Sequence, residues 1–205
     1  MKLEQTTNNT ESFHELNAEA IKEVIDDFAP VLAKIKKASS PKASYLYARQ
    51  SLDNVIDRTK MFEKATCNSS CSFCCHDSIF VSHSEAEYIK QVVKSKGIVP
   101  NADRIALQKE NNTHLKWEFK ACPLLLDADA AGERKCSIYE DRPLICRAHN
   151  STEDPKFCNK EEFPDRTIKE LKNVLVDGIL MASIVTGNRQ VNPSEELMIA
   201  LHNVL

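Results

Sequence analysis

Residues 67–76 read CNSSCSFCCH and set Cys67, Cys71, Cys74 and Cys75 side by side, half of the chain's 8 cysteines. Cysteine packs well as a small hydrophobe. Here, however, Asn68, Ser69, Ser70 and Ser72 are interleaved, and those side chains favour turns over a packed core. The stretch therefore reads as a loop crowded with thiols. Such a loop needs a shared partner: other thiols, a metal ion or an iron–sulfur cluster.

The other four cysteines, Cys122, Cys136, Cys146 and Cys158, are spread along the chain at turns and element ends. Cys122 precedes Pro123, Cys146 falls one turn into a short helix after Pro143, and Cys158 lies in a polar loop. At such places a thiolate can point inward while backbone N–H groups approach its sulfur. All eight are candidate metal ligands. A zinc ion takes four ligands, and a cubane cluster takes four thiolates. Eight exceed either need, so two centres, or one centre with spare thiols, both stand open. Neighbouring side chains such as Cys74 and Cys75 diverge on a regular backbone, so each more comfortably faces a different metal or a different corner of a cluster. The energetic scale favours a structural role: a folded domain is stable by about 5–15 kcal/mol, and a structural zinc ion can contribute about 10–16 kcal/mol.

Composition narrows the function classes. The 205 residues are 42% hydrophobic and 28% charged, as in ordinary globular proteins. The 4 glycines form no phosphate or dinucleotide cradle, and a net charge of −3 argues against a nucleic-acid partner. The polar start, MKLEQTTNNTESFHEL, does not read as a targeting segment. The most apolar run, VLVDGILMASIV at 174–185, is broken by Asp177 and Gly178 and is too short for a membrane span. A cytoplasmic setting is expected, in which reducing conditions disfavour a disulfide framework.

The expected fold is mainly α: a helical domain with a small β-hairpin and a cysteine-rich metal-binding loop. Apolar residues at Ile21, Val24, Ile25, Phe28, Leu32 and Ile35 recur at helical spacing, with Pro30 expected to kink or divide the helix. A second helix fits 42–64, and the two form a hairpin over residues 1–65. The cysteine module spans 66–160. It contains a short extended run SIFV, a helix with Ser84 as N-cap and Glu87 three residues on, and a hairpin pairing ACPLLLD with RKCSIYE. Residues 161–205 add one strong helix over 166–185 and a short last helix from 193. The apolar C-terminal helix is expected to be buried or to meet a protein partner or a second copy.

Taken together, CNSSCSFCC, CPLLL, CSIYEDRPLICR and FCN resemble a cysteine-cluster family of zinc- or iron-chelating domains, over about residues 67–160. Its hallmark is a C-x-x-C-x-x-C-C run followed by CPxL and CxIYxxRPxxCR segments. The three-residue first spacing departs from the hallmark but removes no cysteine. The resemblance implies bound iron or zinc. It extends distantly to the cysteine module of flagellin lysine methylase, although no methyl-donor motif is present. C-x3-C-x2-C alone is also similar to the cluster loop of radical enzymes, but the chain lacks room for their barrel. Arg142 and Arg147 beside Cys146, with Arg134 and Lys135, are candidates to offset thiolate charge. His76 and His149 are candidate substitute ligands. Glu140 or Asp141 is expected to cap the helix after Pro143. Tyr139 reads as a core anchor and Trp117 as a core or interface aromatic. His14, His83, His114 and His202 have no legible chemical context. Nothing nominates a base or a nucleophile, so no catalytic residue is assigned. Three function classes remain: a metal-binding protein holding iron or zinc, a methyltransferase-like or redox enzyme using the cluster, and a thiol-based metal store or sensor.

Overall fold

In the computed structural model, which describes residues 18–77, 79–110, 121–186 and 195–196, the first apolar stripe forms helix α1 (Ala18–Lys37). Pro30 does not divide it; the residue is exposed, so the carbonyl it leaves unpaired can turn to water. Helix α2 (Pro41–Thr59) starts where Ser40 accepts the Ala43 N–H at 3.2 Å, with Pro41 in its first turn. It buries Tyr45, Ala48, Leu52 and Ile56, one face at steps of three, four and four. The expected continuation to 64 is absent. Lys60 turns left-handed (φ 52°), and the Lys60 and Met61 N–H groups return to Asp57 and Ile56, which closes the helix.

Helix α3 (His83–Ser95) begins two residues earlier than expected. Ser82, not Ser84, is the N-cap, and Glu85 completes the capping box by accepting the Ser82 N–H at 3.0 Å. Helices α4 (Ala102–Glu110), α5 (Leu144–Ala148) and α6 (Val174–Thr186) follow. α1 packs on α2 and α6, and α2 also packs on α3. The core between them contains Tyr45, Leu52, Ile89, Ile138 and Leu144, each fully buried. Burying a side chain of that size contributes about 1.5–3 kcal/mol. Strand pairing among the described residues is limited to β1 (Phe80–Val81) antiparallel to β2 (Glu195–Glu196).

Three expectations are corrected. The β-hairpin does not form as two strands: a lone bridge joins Leu125 and Cys136. The backbone folds into turns on both sides of it, with the Leu125 N–H on Cys122 and the Tyr139 N–H on Cys136, so the ladder cannot lengthen. Nor is 166–185 one helix. Residues 166–173 run as an irregular strap, and α6 starts only where Asn173 accepts the Leu175 N–H at 2.9 Å. Buried Asn150 holds that strap, accepting the Leu171 N–H at 3.0 Å and donating to the Leu171 carbonyl at 3.2 Å. Finally, Glu195 and Glu196 are in β2 rather than in a last helix; the rest of that helix, together with Trp117, His14, His114 and His202, lies outside the described residues.

The segment IYEDRPLICR docks on α2 and α3 through polar contacts. Asp141 accepts hydrogen bonds from Tyr88 at 2.7 Å, Lys96 at 2.8 Å and Arg49 at 3.2 Å. Tyr45, stacked on Tyr88 at 4.3 Å, donates to the Arg142 carbonyl at 2.9 Å. Burial acts to raise the Asp141 pKa, but hydrogen bonds from Lys96 and Tyr88 and the neighbouring positive charges outweigh it and hold the group below its ordinary value. Replacing Asp141 by Asn is expected to destabilise the protein by about 1–3 kcal/mol near neutral pH. A depressed folded pKa gives stability that is complete above the unfolded value and lost as pH falls through the folded one. The gap between variant and wild type therefore narrows below about pH 4. Urea denaturation across pH measures both; equal stability at pH 7 would remove Asp141 as an anchor.

Candidate metal centre

The cysteine loop is fastened at its first member. The Thr66 N–H donates to the Ser151 carbonyl at 2.8 Å, and the Ser151 N–H donates back to the Cys67 sulfur at 3.1 Å. Asn68 then turns the chain, accepting the Ser70 N–H at 2.9 Å on its side chain and the Cys71 N–H at 3.1 Å on its carbonyl. Cys74 and Cys75 sit in a short 3₁₀ turn, Phe73–His76. At three residues per turn, neighbouring side chains are spread about 120° apart. A second 3₁₀ turn, Pro155–Cys158, packs against the first and brings Cys158 to it.

The remaining cysteines are set by other elements. The Cys122 N–H donates to the Cys75 carbonyl at 2.6 Å, and the Leu125 N–H closes the next turn onto Cys122 at 3.0 Å. Arg104 of α4 fixes that turn from outside, donating to the carbonyls of Cys122 and Leu125 and pairing with Asp127 at 2.9 Å. The lone bridge places Cys136 opposite Leu125. Cys146 rides on α5, whose first N–H, from Leu144, is accepted by Glu85 at 3.0 Å. Glu85 therefore provides the cap that the sequence reading assigned to Glu140 or Asp141. Nothing in the spacing of residues 59 positions apart signals that contact.

All eight cysteines are free thiols. Burial pushes most of their pKa values up: Cys122 to about 12, Cys158 to about 11, and Cys146 well above the ordinary range. The Cys75 thiol donates a hydrogen bond to Cys74, which lowers Cys74 and raises Cys75. Backbone N–H groups approach the sulfurs of Cys67 (Ser151), Cys71 (Phe73), Cys122 (Leu124 and Leu125) and Cys136 (Ile138) and favour their thiolates.

Of the expected charge partners, Arg142 alone among the arginines flanking Cys146 faces the sulfurs. Its guanidinium lies 3.9 Å from the centre of the Tyr139 ring, and its charge lowers the thiols of Cys67, Cys136 and Cys146. Arg147 turns away to Asp53 at 3.2 Å and to the Glu140 carbonyl at 2.6 Å. Lys135 pairs with Glu133 at 3.6 Å. His149 points Nδ1 at Glu170, 3.1 Å away, and lies within electrostatic reach of Cys74 and Asp77. The Glu170 hydrogen bond raises His149, and the same bond holds Glu170 near 2. No motif signals Glu170, which meets His149 from the irregular 166–173 strap. His76 is buried beside the vicinal pair.

Chemically, the donor set suits thiophilic metals. Sulfurs with backbone N–H donors and a nearby guanidinium suit both tetrahedral zinc and iron–sulfur clusters, whose thiolate charge such donors offset. Among the described residues, no three His, Cys, Asp or Glu side chains already stand in a coordination arrangement. Ligation therefore requires thiols to deprotonate and turn, and the Cys74–Cys75 hydrogen bond to give way.

A family model described as "Putative zinc- or iron-chelating domain" matches residues 66–169, just over half of the chain. The chain belongs to that cysteine-cluster family. Searches of curated proteins and of solved structures each found no match.

In metal-stripped but folded protein, a thiol reagent is expected to modify exposed Cys67 first. Cys122 and Cys146, whose sulfurs are the most desolvated, should react last. Mass spectrometry of partially alkylated peptides reads the order; early modification of Cys146 would contradict the structure.

Proposed function

We propose that the chain is a cytosolic metal-binding protein that holds iron, as an iron–sulfur cluster, through Cys67, Cys71, Cys74, Cys75, Cys122, Cys136, Cys146 and Cys158. The carrying observation is convergence: free thiols from residue 67 to residue 158 fall within one another's electrostatic reach, in a chain of the zinc- or iron-chelating family. When bound, such a cluster supplies one-electron chemistry or a structural clamp. The chain's own residues do the rest. Glu85 and Arg104 position the backbone of Cys146 and Cys122, Ser151 donates to Cys67, and Arg142 offsets thiolate charge. N–H donation to sulfur supports thiolate ligation of either metal that the family description names, and an iron–sulfur cluster is the reading put to the test below. Among the described residues no helix is long and apolar enough to cross a membrane.

Anaerobic purification followed by visible spectroscopy and elemental analysis tests this reading. A brown protein with iron and acid-labile sulfide is expected; a colourless protein with stoichiometric zinc would overturn the choice of metal, and a metal-free one the whole proposal. Chelation of the bound metal should remove at least about 5 kcal/mol. For a chain of this size that corresponds to a fall in Tm of roughly 10–20 °C. An unchanged Tm after complete removal would exclude a structural role.

A further inference from the structure

We propose that the eight cysteines form two separate four-sulfur centres, Cys67, Cys71, Cys74 and Cys158 in one and Cys75, Cys122, Cys136 and Cys146 in the other, meeting at the Cys74–Cys75 peptide. This rests on the metal-binding reading above and states how the ligands divide.

Backbone geometry makes the division. The first set is built where the turn Phe73–His76 packs on the turn Pro155–Cys158, and where Thr66 and Ser151 clamp Cys67 to the segment leading into that second turn. The second is built around the 2.6 Å bond from the Cys122 N–H to the Cys75 carbonyl. The Leu125–Cys136 bridge joins Cys136 to the same turn, and Cys146, on α5, lies within electrostatic reach of Cys122 and Cys136.

The electrostatic neighbours of Cys158, Cys71, Cys75 and Cys122 fall the same way. Cys158 is acted on by Cys71, Cys67 and Cys74, and Cys71 by Cys74 and Cys67. Cys75 is acted on by Cys122 and Cys136 besides its neighbour Cys74, and Cys122 by Cys136. Cys146 feels Cys122, Cys74 and Cys136, and Cys136 feels Cys74. Cys74 thus reaches across the boundary, as a residue at the junction must. Each set has the four thiolates that one tetrahedral ion or one cluster consumes. A single centre would leave four desolvated thiols without a ligand's role. The vicinal pair, awkward as two ligands of one ion, becomes simple: adjacent side chains serve adjacent centres.

Native mass spectrometry of the full chain, purified without oxygen, counts the centres. Two per wild-type chain are expected, and one in the double variant Cys71→Ser/Cys158→Ser, with far-UV circular dichroism confirming that it is folded. In that variant Cys75, Cys122, Cys136 and Cys146 should stay protected from iodoacetamide while Cys67 and Cys74 become reactive. One centre in the wild type, or loss of protection at all remaining cysteines of a folded variant, would overturn the division and leave metal binding intact. A metal-free wild type would overturn both. The wild-type count decides the matter even if the variant does not fold.

Discussion

A buried carboxylate links the two halves of this protein. Glu85 accepts the Ser82 N–H with one oxygen and the Leu144 N–H with the other, both at 3.0 Å, so one side chain starts both α3 and α5. Burial raises its pKa, while the two N–H donors and Ser82 and Ser183 work against that rise. A carboxylate this desolvated is tolerated only because its lone pairs are filled. The consequence is positional. α5 has five residues, too few to hold its own orientation in water, yet it carries Cys146. Glu85 at its start and Arg147, paired with Asp53 near its end, fix it to the larger helices.

The same logic explains why the cysteine-bearing region is so irregular. Regular helix or sheet spends its N–H groups on its own carbonyls and leaves none for sulfur. Short 3₁₀ turns and a single bridge leave N–H groups free to face Cys67, Cys71, Cys122 and Cys136. Irregular backbone needs an external frame, and α1, α2, α3 and α6 supply it. The polar docking of Asp141, Tyr45 and Arg49 transmits that frame to the loops. The placement of the thiols and the stability of the helical frame are therefore linked.

How much was legible in the sequence follows from the range of each interaction. The stripes of α1 and α2 and the capping chemistry of α3 are local, so spacing revealed them, although Ser82 and Glu85 rather than Ser84 and Glu87 make the cap. The thiol loop and the family were legible for the same reason: cysteine spacing is a local pattern with few competing explanations. What failed was partly local turn formation and partly non-local contact. The hairpin was expected from two apolar runs, but turns flanking Leu125 and Cys136 stop the ladder at one bridge. The long helix was expected from periodicity through 166–185, yet Asn150 and Glu153 capture the backbone of Leu171 and Lys169. Arg147 was read as a partner of sulfur because it adjoins Cys146; its real partner, Asp53, is 94 positions away.

On the proposed reading, metal binding and folding are coupled. As neutral thiols, the eight side chains coexist at close quarters, and Cys75 donates to Cys74. Ionised together without a metal, they would repel one another across a desolvated space in which Arg142 is one nearby cation. A thiophilic ion held as proposed would resolve the conflict by replacing protons with a shared positive charge, and its binding would release protons and draw the loops together. Chains held mainly by apolar burial need no such step. Here the described core lies between the helices, and the segments that bear cysteines reach it through a few apolar side chains, Leu124, Ile138 and Leu144, and through hydrogen bonds. Those segments gain the most from a centre that links sulfur to sulfur.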